Sequence, residues 1–127
     1  RLVAEDRCHL SGFAIADGAP RFIAALGATD TPRGWSENRL KGGVVIDIGS
    51  GEIVASGLSM PHSPRIYGGR LWILNSGEGE LQVVDPSSGA RDTVCRLPGY
   101  LRGLAFFDRF AFIGLCKIRE KHLFGGV

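Results

Sequence analysis

The sequence predicts an all-β fold, a partial β-propeller of about two and a half four-stranded antiparallel blades. Three observations predict it. Short apolar runs alternate with turn signals along all 127 residues, 19 of which are Gly, enough for many tight turns. No segment sustains a helical period; Lys117–Lys121 has room for one turn at most. Finally, one plan of hairpin, polar exit and second hairpin recurs, with Gly12, Pro64 and Gly103 in equivalent places 52 and then 39 residues apart. Four short strands in a unit of about 40 residues is the mark of a propeller blade. A sandwich of short strands is the competing architecture, and the internal repeat disfavours it.

The chain reads as a single domain over 1–127, with blade 1 at about 9–58, blade 2 at about 62–98 and an incomplete blade 3 at about 101–127. In blade 1, Phe13–Ala16 and Arg21–Leu26 flank Asp17-Gly18-Ala19-Pro20, a strong hairpin signal. Residues 27–43 are a polar loop around Trp35; Val44–Ile48 and Glu52–Ser56 then flank Gly49-Ser50-Gly51. Blade 2 repeats this with tighter loops. Arg65–Tyr67 and Arg70–Leu74 surround Gly68-Gly69, and Leu81–Asp85 and Arg91–Leu97 surround Pro86-Ser87-Ser88-Gly89. Asp47 and Asp85 close matching strands, each four residues before Gly51 or Gly89. An Asp there bonds the backbone ahead of it and Gly supplies positive φ, so the pair reads as structural. In blade 3 only one hairpin follows, Leu104–Phe107 with Phe110–Gly114.

Composition removes several function classes. The formal net charge is +2 and no Lys/Arg stripe forms, which gives no electrostatic case for nucleic acid. No apolar run approaches the roughly 18 residues of a membrane helix. Cys8, Cys95 and Cys116 are widely spaced and lack zinc-site spacing, so they read as reduced thiols and favour a cytoplasmic location. No Gly-x-Ser-x-Gly elbow, phosphate loop or dinucleotide fingerprint is present, and Ser63 beside His62 is not triad geometry.

Blade topology puts the turns within hairpins on one face, and the b–c exits and the starts of the innermost strands on the other. The first face receives only turn chemistry. The second receives His9, His62 and Arg102 from strand starts and Trp35, Asn75, Glu78, Lys117 and Glu120 from the exits. These are the candidate ligand-binding residues, since loops on a rigid scaffold are where function concentrates. His9 and His62 can converge as metal ligands or bases, with Asn75 and Glu78 adding oxygen for a hard cation. The competing reading is that each caps backbone groups or serves a tight loop. Arg102 can grip a carboxylate or phosphate, or pair with an acid across the channel. Trp35 is costly to leave in water, so it either packs down as a lid or stacks on a ligand. All of these are expected around one channel mouth, with the 27–43 loop folding over it.

Five segments carry a resemblance to a known family. They are Glu5–Leu10 with Gly12; Ala25–Pro32 with Gly34-Trp35; Met60-Pro61-His62-Ser63-Pro64-Arg65; Leu71-Trp72 with Leu74–Gly77; and Gly114-Leu115 with Lys117, Arg119 and Glu120. In these the chain resembles the bacterial DUF4915 family, a domain of unknown function. The resemblance implies a propeller-like fold and no assigned activity. It also implies a greater length than is present here, so the chain is expected to be a fragment of a longer propeller. The alternative is that two copies join to close one.

Two functional readings follow. The first is a binding or interaction domain holding a small polar ligand or a protein partner on the loop face. The alternative is a metal-dependent hydrolase or lyase with a divalent cation at the channel mouth.

Overall fold

A computed structural model of the chain describes residues 3–117. Among them ten strands form: β1 Leu10–Ala16, β2 Ala19–Ala25, β3 Gly43–Asp47, β4 Ile53–Leu58, β5 Pro61–Tyr67, β6 Arg70–Asn75, β7 Glu80–Val84, β8 Arg91–Arg96, β9 Tyr100–Phe107 and β10 Phe110–Cys116. Every pairing is antiparallel, in two four-stranded sheets, β1-β2-β3-β4 and β5-β6-β7-β8, and one hairpin, β9-β10. The fold is all-β, and the unclosed sheets are consistent with a partial propeller. Two short 3-10 helices, Gly34–Asn38 and Ser76–Glu78, interrupt the loops.

Local chemistry sets the hairpins. Asp17 and Gly18 have φ of 51° and 78°, and Gly68 and Gly69 have 58° and 71°, the left-handed pair that a two-residue hairpin turn requires. The two longer turns are built alike. Asp47 accepts from the Gly49 N–H at 2.8 Å and Asp85 from the Ser87 N–H at 2.9 Å; Gly51 and Gly89 donate back to the carbonyls of Asp47 and Asp85, both at 2.8 Å. The Asp85 carboxylate also accepts from the Ser87 and Ser88 hydroxyls, each at 2.7 Å.

The sheets stack face to face. Ala14, Phe22, Ala24 and Val45 of the first sheet meet Leu71, Ile73 and Val84 of the second. On its other face the second sheet packs Leu74 and Leu81 against Leu101 and Leu104 of the hairpin. Removing such side chains from water is the main stabilising term, roughly 25 cal/mol per Å². The first strands of each sheet run side by side, β1 beside β5 and β5 beside β9, and polar ties join them. The Ser11 hydroxyl donates to the Pro61 carbonyl at 2.5 Å, and the Ser63 hydroxyl accepts from the Gly103 N–H at 3.1 Å.

These first strands start three or four residues earlier than the sequence predicts, so His62 lies inside β5 rather than in a preceding turn. At β5 proline is the reason for the difference. Pro61 and Pro64 read as turn residues, but β5 is an edge strand paired only with β6, where the missing N–H costs no ladder bond. An irregularity between His62 and Arg65, with Ser63 at φ 53°, absorbs the second proline.

Candidate functional site

The starts of β5 and β9, the Ser76–Glu78 exit and the 27–43 loop meet at one end of the sheets. Leu26, Trp35 and Met60 form an apolar cluster there with Tyr100 packed against it. His9 lies on one side of the cluster, its ring centroid 4.7 Å from that of Trp35. His62 lies on the other, edge-on to Tyr100 with centroids 5.7 Å apart. His9, Trp35, His62 and Tyr100 are thus joined through one continuous set of contacts.

His62 is 4% exposed. Its Nδ1 stands 2.9 Å from the Met60 carbonyl oxygen, which can only accept, so Nδ1 carries the proton and Nε2 keeps its lone pair. The Ser76 and Tyr100 hydroxyls stand 3.2 and 3.5 Å from the same nitrogen. Burial pushes the imidazole pKa below its usual 6.5; the Met60 carbonyl opposes this, and the charges of Arg102 and His9 add to it. His62 is therefore neutral at pH 7. Burial also drives the Tyr100 hydroxyl up to about 12, against the pull of Arg102, so it stays a protonated donor.

His9 is held differently. Both Asp6 carboxylate oxygens face its Nδ1, at 3.0 and 2.8 Å, and the Trp35 indole N–H donates to Asp6 at 2.9 Å. Desolvation raises the Asp6 carboxyl, but the His9 and Trp35 hydrogen bonds and the charges of His9 and Arg33 outweigh it, and the group lies below its usual range. Trp35 is 7% exposed. Its ring packs against Leu26, Met60 and His9 and its N–H is engaged by Asp6, which leaves little of it open to a ligand.

The remaining predicted residues divide. Asn75 is buried and committed: its Oδ1 accepts from the Ser59 N–H at 2.7 Å and its Nδ2 donates to Glu80 at 2.9 Å. Glu80, also buried, accepts in addition from Gln82 at 2.6 Å and pairs with Arg96 at 2.5 Å. Arg102 is exposed, and its charge acts on both His62 and Tyr100. Glu78 and Lys117 are exposed on the walls of an open groove of about 630 Å³, which Gly79, Pro98, Tyr100 and Leu115 also line. Glu120 lies outside the described residues. Among the described residues no group of three or more His, Cys, Asp or Glu side chains is placed to hold a metal ion, and none of the helices is long and apolar enough to cross a membrane.

Sequence reasoning missed Asp6, Ser76 and Tyr100. Two signals were present. Asp6 precedes His9 by three residues, and Tyr100 stands three residues before Gly103 as His9 stands three before Gly12. The backbone of this end is also unusual: Asp6, His9, Arg33, Met60 and Ser63 all have φ between 47° and 53°, a region that side chains avoid.

The fold and this end of it define an all-β protein that carries polar and aromatic side chains on loops and strand starts above stacked sheets. The chain belongs to the DUF4915 family, a domain of unknown function whose model matches residues 1–127. No curated protein and no solved structure matches it.

Proposed function

We propose that the chain is a propeller-type binding domain whose loop-bearing end holds a small polar ligand. The observation that carries this reading is His62. All its hydrogen-bond contacts among the described residues are made by Nδ1, which leaves Nε2 as an open acceptor on a side chain that is otherwise buried. Nε2 is not among the fully buried atoms that lack a partner, so this acceptor opens to solvent, where a ligand hydroxyl or ammonium can donate to it. Arg102 and Lys117 supply positive charge for an anionic group on the same molecule, and the groove beside Tyr100 offers it room. Metal-dependent hydrolysis has weaker support, because Asn75 is committed to Ser59 and Glu80 and, among the described residues, no three His, Cys, Asp or Glu side chains are grouped to hold a metal ion.

In this reading the two sheets and the hairpin are successive blades of a repeat, with β1, β5 and β9 innermost. The like placement of Ser11 and Ser63, each tying its strand to the next, supports it. A thermal-shift screen of small hydroxylated acids and amino acids, followed by calorimetry, tests the site. The expected result is a hit whose affinity falls at least about tenfold in His62→Phe and in Arg102→Met, the loss of roughly one hydrogen bond to a charged or buried group. Equal affinity in wild type and both variants overturns the proposal.

A further inference from the structure

We infer that the ligand of this end is a hydroxylated organic anion, whose hydroxyl donates to His62 Nε2 and whose anionic group lies toward Arg102, and that the matching ammonium compounds are rejected. This rests on the binding reading above and settles a choice of ligand chemistry which that reading leaves open.

The Met60 carbonyl fixes the His62 proton on Nδ1, so Nε2 can only accept, and a hydroxyl and an ammonium are both able to donate to it. Three observations separate them. The side chain is 4% exposed, and an ammonium gives up far more hydration than a hydroxyl to reach an atom held in such surroundings. The charges that act on the ring are positive: Arg102 from β9 and His9 from ahead of β1 both oppose a proton there, and the same field opposes an ammonium bonded to it. Finally, the acids within this end are engaged. Asp6 holds the His9 Nδ1 and the Trp35 indole N–H, and Glu80 holds Asn75, Gln82 and Arg96. Glu78 is exposed on the groove wall, but Lys117 lines the same groove.

A hydroxyl escapes these costs. It gives Nε2 one hydrogen bond without bringing a charge into the positive field, and that field attracts an anionic group carried on the same molecule. Arg102 is exposed, and its planar guanidinium matches a carboxylate or a phosphate monoester equally well. The chemistry common to both is a hydroxyl and an anion a few bonds apart, with no ammonium between them.

Titration of the full chain at pH 7, followed by NMR, with two matched series tests this. The carboxylate series is lactate, alanine and propanoate; the phosphate series is ethylene glycol monophosphate, phosphoethanolamine and ethyl phosphate. In at least one series the hydroxyl member is expected to bind at least about tenfold tighter than both others, the worth of one hydrogen bond to a buried group, and which series responds tells carboxylate from phosphate. In Arg102→Met the gap between hydroxyl and ammonium members is expected to narrow about threefold, the scale of one exposed charge. In His62→Phe the gap between hydroxyl and unsubstituted members is expected to close. An ammonium member that binds as tightly as its hydroxyl partner, or a gap unchanged in Arg102→Met, overturns the inference while the site stands. Binding by no member of either series also overturns it, and the broader screen then judges the site by itself. If His62→Phe fails to fold, the wild-type and Arg102→Met comparisons decide.

Discussion

Arg65 donates through Nε to the carbonyl of Leu104 at 3.0 Å, crossing from β5 to β9. Its Nη1 reaches back to the carbonyl of Phe13 in β1 at 3.4 Å. One guanidinium therefore spans the first strands of all three sheets, at positions where the neighbours have Phe13 and Leu104.

Arg65→Met is expected to lower unfolding free energy by about 2 kcal/mol, the range of hydrogen bonds made by a charged donor. Arg65→Lys is expected to recover little, because a single ammonium cannot reproduce a fork aimed at the carbonyls of Leu104, Phe13 and Pro64. Denaturant titration of the three proteins measures both differences.

Asn75 joins the strand exits to the buried acid at Glu80. Asn75→Ala leaves the Ser59 N–H without its acceptor and removes one donor from Glu80. The expected cost is about 1–3 kcal/mol, the penalty for buried polar groups left unmade. Loss of affinity in a ligand assay without loss of stability would show instead that Asn75 belongs to the site.

His62 links stability to pH. Its folded pKa lies below the unfolded value of 6.5, so between the two the unfolded chain binds the proton and the native chain does not. Stability is therefore full above the unfolded value and is lost as pH falls below about 6.5. Melting temperatures are expected to drop from neutral pH toward pH 5 in the wild type, and less steeply in His62→Gln. Equal slopes in the two proteins would contradict the buried neutral ring.

Asp85 acts at lower pH. Hydrogen bonds from Ser87 and Ser88 hold its carboxyl at about 2, against the usual 3.8. Its contribution is present above 3.8 and is lost as pH falls toward about 2. Acid unfolding of Asp85→Asn is expected to show a shallower loss over that window.

Strand order and hairpin positions were legible because Asp-Gly, Gly-Gly and Pro-Ser-Ser-Gly encode their turns locally. The starts of β1, β5 and β9 were not. Edge strands tolerate proline, and nothing within Pro61–Pro64 shows that β5 will have only one partner. His62, His9 and Arg102 were singled out as candidates from their matching places in the sequence. Their partners Met60, Ser76 and Tyr100 were not, since those contacts depend on how sheets stack. Trp35 showed how a costly side chain can leave a choice open: it was expected either to pack down as a lid or to stack on a ligand, and it is buried with its indole N–H on Asp6, 29 residues earlier, a pairing that no local pattern announces.

The left-handed backbone at Arg33, Met60 and Ser63 has a consequence for laboratory evolution. Each of these residues holds about 1 kcal/mol of backbone strain that glycine would not. A library selected only for survival at high temperature is therefore expected to enrich glycine at Arg33 and Ser63, where little packing is lost. Such winners would melt later yet hold this end of the sheets less firmly, because the Ser63 tie to Gly103 goes with the side chain. Selection for heat resistance and selection for occupancy of this end would pull the same two positions in opposite directions.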